Sequence, residues 1–312
     1  MIHFCKTFLE KTARQWNLPA EGGWDCLVYN QYYRSNVNLL WFHAGGRYPR
    51  AITKLSQRKA VLEREFENLG QAYACVPTRV PRPLYFGEQQ GMWSLWMTAV
   101  PGWRVPPRRT YSTSTLRSLV DVLVSIHGSV RKAGASSDDE RFARMVSGPL
   151  RMLAQFGPSE AVRAGCAQLE KTISAEWLRA LPVIPQHGDL FSDHVLLDGT
   201  QGYVVDWESY GAIDLPFYDL FTLLLSVLRV GGETPEKWNP EMARQIPVLL
   251  LQYARALDLR TSCLRELMPL MLANWLHLQW TNERPQLSTK IYGTIQHFFD
   301  HPGLWQPVWM PA

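Results

Sequence analysis

The chain has 312 residues, 46 % of them hydrophobic and only 19 % charged, which excludes a disordered chain and allows two domains or one large bilobal unit. Its formal net charge of +4, from 32 basic and 28 acidic residues, is too diffuse for a nucleic-acid-binding surface. With no apolar run of about 18 residues, no membrane-spanning helix is expected.

The N-terminus carries Lys6, Glu10 and Lys11 among apolar residues and has no signal-peptide pattern. Cys5, Cys26, Cys75, Cys166 and Cys263 are scattered without metal-binding spacing, and read as reduced thiols of a cytoplasmic protein. No internal repeat or low-complexity block is present.

In chain order, residues 26–33 and 37–43 alternate and are rich in Val, Tyr, Leu and Trp, predicting two strands joined at Arg34-Ser35-Asn36. A Gly45-Gly46 turn leads to a third strand near 50–55 that ends at Lys54. A helix is expected over about 57–72, carrying Glu63, Glu65 and Glu67, which spacing alone does not tell apart. Pro77 to Leu84 is proline-spaced and extended, and 93–97 is a further apolar strand running into Thr98-Ala99-Val100-Pro101-Gly102. A lobe boundary is expected at 100–103.

Beyond a Pro/Arg loop, Ser112 to Thr115 offers a helix N-cap, and Leu116, Leu119, Val120, Leu123, Val124 and His127 mark one buried helical face. His127 therefore reads as a packed, hydrogen-bonded histidine. Residues 218–229, 242–257, 263–281 and 286–299 read as further helices.

The densest chemistry lies in 187–206: His187-Gly188-Asp189, then His194, then Val204-Val205-Asp206. The runs 194–198 and 203–206 are β-prone and flank Gly199-Thr200-Gln201-Gly202, which predicts a hairpin with Val195 opposite Asp206. That fold would gather Asp189, His194 and Asp206 at one rim, a proton acceptor beside a seat for a divalent metal. His187 reads as a structural brace of the loop.

These motifs resemble those of the aminoglycoside phosphotransferase and choline kinase family, small-molecule relatives of the protein kinases. The resemblance rests on His187-Gly188-Asp189, the polar residue five positions on, and Asp206-Trp207 beyond a hairpin; Gly211, Asp214, Pro216, Asp219 and Leu220 echo a later turn loosely. Where relatives commonly have Asn, this chain has His194.

The resemblance implies an α+β, bilobal protein-kinase-like fold. Residues 1–100 would form a small antiparallel nucleotide-binding lobe with an N-terminal helix, and 101–312 a larger, mainly helical catalytic and substrate-binding lobe. It further implies ATP, or GTP, as donor with Mg²⁺, or Mn²⁺. Lys54, paired with Glu65, would hold the phosphates. Ser35 and neighbouring amides would cover them in place of a glycine-rich loop. Main-chain groups near Thr98 and Val100 would bind the base. His194 and Asp206 would bind metal, Asp189 would accept the hydroxyl proton, and Asp219 would cap or brace the loop.

The acceptor is expected to be a small-molecule hydroxyl, sugar or aminoglycoside-like, with neither nucleic acid nor a membrane span involved and the oligomeric state left open. Residues 261–312 hold only Glu266, Glu283 and Asp300 against Arg265, Arg284 and Lys290, which is not an acidic surface for a polycation. Their aromatic residues, Trp275, Trp280, Trp305 and Trp309 with Tyr292, Phe298 and Phe299, suggest a choline- or ethanolamine-type kinase as one alternative. A catalytically weak, pseudokinase-like nucleotide-binding module is the other.

Overall fold

The structure, a computed structural model, describes residues 1–30, 37–105, 111–130, 138–199, 201–228 and 234–309. The chain divides into two units. The first comprises Met1–Val105 with His194–Ser209, the second Pro106–Asp193 with Tyr210–Ala312.

The first unit is built on a five-stranded antiparallel sheet in the order β1-β2-β3-β5-β4. Its strands are β1 (Trp24–Asn30), β2 (Val37–His43), β3 (Ala51–Ser56), β4 (Pro83–Gln89) and β5 (Met92–Thr98). Alternation sends Leu39 and Trp41 of β2, and Ala51 and Leu55 of β3, to one face. There they pack with Trp96 and with Cys5, Leu9, Ala13 and Trp16 from the N-terminal segment containing α1 (Ile2–Thr12). The rings of Trp41 and Trp96 stack at 5.9 Å, and the Trp41 indole donates to Thr53 Oγ1 at 2.8 Å, so the buried ring leaves no orphan donor.

Helix α2 (Lys59–Cys75) buries Leu62, Glu65, Leu69 and Ala72, a single stripe at helical spacing that includes one carboxylate. The unit's smaller sheet orders β6 (Trp103–Arg104), β7 (Val195–Asp198) and β8 (Gln201–Val204).

The second unit is helical. Its helices are α3 (Thr113–Val130), α4 (Asp138–Phe142), α5 (Gly148–Phe156), α6 (Glu160–Thr172), α7 (Ala175–Arg179), α8 (Tyr218–Leu228), α9 (Pro240–Ala256), α10 (Leu264–Thr281), α11 (Pro285–Asp300) and α12 (Pro302–Trp309). The centre of its core is α8, where ten of eleven side chains are buried, and α10 is nearly as deep. A helix apolar all round must lie inside, because it has no face to offer water. Among the described residues no helix is long and apolar enough to cross a membrane.

Three sequence expectations change. Pro77 to Leu84 is mostly a lead-in, and the strand is β4, which begins at Pro83 and runs on to Gln89. The helices over 138–179 and α12 were not expected: α4 and α7 are short, and α12 holds an internal proline. The ladder of this hairpin runs on to Asp198 opposite Gln201, so Val195 pairs with Val204 and not with Asp206. Asp206 lies beyond the ladder and turns the chain with φ of 72°.

Two measurements follow. Gly102 has φ of +104°, and a Cβ there would sit 2.7 Å from the Leu197 carbonyl oxygen. Gly102→Ala should destabilise the protein by about 1–3 kcal/mol, read by thermal unfolding, while Gly70→Ala in open space should not. Burial pushes the thiols of Cys5 and Cys263 up to about 11 and that of Cys166 to about 12, and raises Cys26 as well. At pH 8 a thiol reagent should therefore label the native protein rapidly only at exposed Cys75, and all five cysteines after denaturation.

Candidate active site

In the first unit Lys54 lies in β3 between Asn38 and Leu95 of the flanking strands. Its ammonium contacts Glu65 Oε1 at 2.5 Å and Asp206 Oδ1 at 2.7 Å. Burial alone would lower the Lys54 pKa, but the Asp206 and Glu65 charges outweigh it and hold the group above its ordinary value, a fixed cation. The structure also separates the three helix glutamates. Glu63 spends its charge on Lys59 at the surface, Glu67 is exposed, and Glu65 is 2 % exposed. Burial pushes the Glu65 carboxyl up to about 7 against the pull of Lys54, with Asp206 adding to the rise.

His194 closes a 3₁₀ turn (Ser192–His194) just before β7, and its Nε2 stands 3.6 Å from Asp206 Oδ2. The Val205 amide donates to the His194 carbonyl at 3.0 Å, which carries the pairing one step past the ladder and brings the two side chains side by side. Sequence reasoning missed Glu208. Its main-chain carbonyl accepts from Asn68 Nδ2 of α2 at 3.1 Å, and one ligand atom each of Glu65, Asp206 and Glu208 lies within 4.8 Å of the others. The Asp-Trp-Glu spacing at 206–208 was the available signal. These carboxylates are hard oxygen donors of the kind Mg²⁺ takes, and the His194 imidazole extends the set toward Mn²⁺. The residues fit a divalent cation.

At the end of β5, the Thr98 amide donates to the Arg82 carbonyl at 2.9 Å and Thr98 Oγ1 accepts from the Arg82 amide at 2.8 Å. The Thr98 side chain is thus engaged by Arg82, and Val100 follows in half-buried backbone. Ser35 lies outside the described residues.

In the second unit Asp219, fully buried at the start of α8, organises the loop around Asp189. Its carboxylate accepts from the amides of His187 at 2.6 Å and Gly188 at 3.0 Å, and meets His127 Nε2 at 3.1 Å. The other ring nitrogen of His127 meets the Tyr253 hydroxyl at 2.6 Å, so His127 is a satisfied core histidine. His187 Nδ1 accepts from the Asp189 amide at 3.4 Å, which is the brace expected of it. Gly188 takes φ of 88°, a conformation natural to glycine at this bend.

Asp189 itself is 3 % exposed. Gln279 Nε2 donates to its Oδ1 at 2.9 Å, and Arg284 donates to its Oδ2 at 2.7 Å. Neither residue was singled out in the sequence, because they lie 90 and 95 positions away along the chain. The Tyr218 hydroxyl is held protonated by burial and then by the charges of Asp189 and Asp219. Of the tail aromatics, Trp275, Trp305, Trp309, Tyr292 and Phe298 are core, and Trp280 is half exposed.

A family model described as the phosphotransferase enzyme family matches residues 37–245, more than half of the chain. The chain belongs to this family and is a small-molecule kinase of protein-kinase-like fold. Among solved structures, a Ralstonia eutropha protein named as an aminoglycoside phosphotransferase superposes with a TM-score of 0.65 at 14 % identity, over 95 % of this chain and 97 % of that one. A thermostable mutant of aminoglycoside phosphotransferase APH(4)-Ia, in a ternary complex with ADP and hygromycin B, gives 0.56 at 12 % identity over 95 % and 97 %. Amicoumacin kinase hAmiN, in complex with AMP-PNP, Ca²⁺ and Ami, gives 0.55 at 14 % identity over 87 % of each chain. Curated protein sequences hold no match. At these identities the structural likeness is one of fold.

The raised Glu65 has a consequence for stability. A group whose pKa rises on folding stabilises fully below its unfolded value, here 4.5, and that contribution is lost as pH rises through about 7. Glu65→Gln, fixed in the neutral form, should therefore gain in melting temperature relative to wild type as pH is raised from 5 to 8 without divalent cation. A constant difference across that range would exclude the raised carboxyl.

Proposed function

We propose that the chain transfers the γ-phosphoryl group of ATP to a hydroxyl of a small molecule. The observation that carries the reading is Lys54, a buried ammonium fixed from two sides by Glu65 and Asp206. A cation so placed suits the α- and β-phosphates of a nucleotide, and Glu65 keeps it in register. Main-chain groups near Thr98 and Val100 bind the base.

Asp206 and His194, with Glu208 beside them, hold Mg²⁺ or Mn²⁺, which when bound supplies charge neutralisation on the phosphates. Asp189 orients the acceptor hydroxyl and takes its proton as the new P–O bond forms. Asp219 and His187 hold the loop that carries it.

A choline-type acceptor loses support, since most of the aromatic side chains that suggested it are core. A pseudokinase-like module is the remaining rival, and turnover decides between them. Thermal unfolding with ATP or GTP, each with Mg²⁺ or Mn²⁺, should show metal-dependent stabilisation that disappears in Asp206→Asn. Asp189→Asn should lower turnover about 10²–10⁴-fold while leaving nucleotide affinity nearly intact. Stabilisation without any turnover in the wild type would establish the binding module instead.

A further inference from the structure

Asp189, Gln279 and Arg284 form a closed ring of side chains. Arg284 donates to Asp189 Oδ2 at 2.7 Å and to Gln279 Oε1 at 2.8 Å, while Gln279 donates to Asp189 Oδ1 at 2.9 Å. The ring ties the loop after His187 to the last turn of α10 and to the residue that precedes α11. Both oxygens of Asp189 are thereby engaged, one of them by a full positive charge.

Of the other buried aspartates of this unit, one is paired with guanidinium groups and one is held by main-chain amides and a histidine. Asp214 carries Arg141 at 2.9 Å and Arg144 at 2.5 Å, and Asp219 carries two amides and His127. A polyamine acceptor draws its affinity from carboxylates whose charge is still available to it. Here the carboxylate assigned to the reacting hydroxyl is already neutralised. An ammonium group next to that hydroxyl would meet the guanidinium of Arg284 as a like charge, in a half-buried setting where water screens it less than at the open surface.

We infer that Arg284 is a specificity-determining residue, and that the acceptor is a neutral or anionic hydroxyl compound with no ammonium group beside its reacting hydroxyl. The inference rests on Asp189 as the proton acceptor. Arg284 acts through that carboxylate, setting both its position and its net charge.

The test begins with ATP hydrolysis, water standing in as acceptor. Turnover that is lost in Asp206→Asn shows that the phosphoryl-transfer site works, and its absence counts against the proposed function while leaving charge selection to the binding experiment. Calorimetry then measures hygromycin B and kanamycin, both polycations at pH 7, against wild type, Arg284→Gln and Arg284→Lys. Wild type and Arg284→Lys should bind neither. Arg284→Gln should gain at least about tenfold in affinity for them, a gain that shrinks as salt is added.

The inference is overturned if wild type binds these polycations as well as Arg284→Gln does, or if the variant gains nothing. Should Arg284→Gln fail to fold by thermal unfolding, Gln279→Glu supplies the same change of charge from the other side of the ring. It should show the same gain, and no gain there overturns the inference equally.

Discussion

The first unit depends on one buried cation. Taking an ammonium group out of water costs several kcal/mol, and the Lys54 site recovers that cost only because two carboxylates meet it at hydrogen-bonding distance. Those carboxylates come from different places: Glu65 from the buried stripe of α2, and Asp206 from the chain just beyond β8. Three segments, one of them 152 residues on from Lys54, are thus bound to a single point. Removing either acid would leave the ammonium less compensated, and removing the lysine would leave two acids facing each other. The energetic requirement coincides with the proposed role, since a cation that is to bind phosphate has to be held still before its ligand arrives.

The second unit uses carboxylates differently. Asp219 is fully buried and contacts main-chain amides, so it acts as an anchor for backbone at a glycine bend. Asp214 serves as an arginine-bound strut. Asp189 is held by an amide and a guanidinium that approach from the C-terminal helices. Chemically identical side chains thus take different partners according to what surrounds them. Gln279 in α10 and Arg284 just before α11 thus tie the loop of Asp189 to the helical core.

Much of this was legible beforehand, for physical reasons that can be named. The strands β2 and β3 and helix α3 carry periodic burial patterns, which survive without knowledge of their partners, while β5 reads as a continuous apolar run. Lys54 and Glu65 came from a resemblance, and spacing alone could not choose among Glu63, Glu65 and Glu67. The hairpin was legible as a hairpin, but its register was not. Turn length decides register, and Gly199-Thr200 competes with Gln201-Gly202 as the turn in composition alone. Short helices such as α4 and α7 have too few turns to show a period.

The sequence by itself determined the alternating faces of β2 and β3, the buried face of α3, the hairpin after His194 and the family whose motifs the chain carries. Those are local properties, set by side-chain periodicity and by backbone conformations that a few neighbouring residues impose. Tertiary structure decided which acid pairs with Lys54, that Glu208 lies beside Asp206, and that Gln279 and Arg284 hold Asp189. The contacts of Lys54 with Asp206 and of Asp189 with Gln279 and Arg284 join side chains far apart in the chain, where charge and hydrogen-bonding capacity permit many partners. Only the packing of the helices and strands selects one.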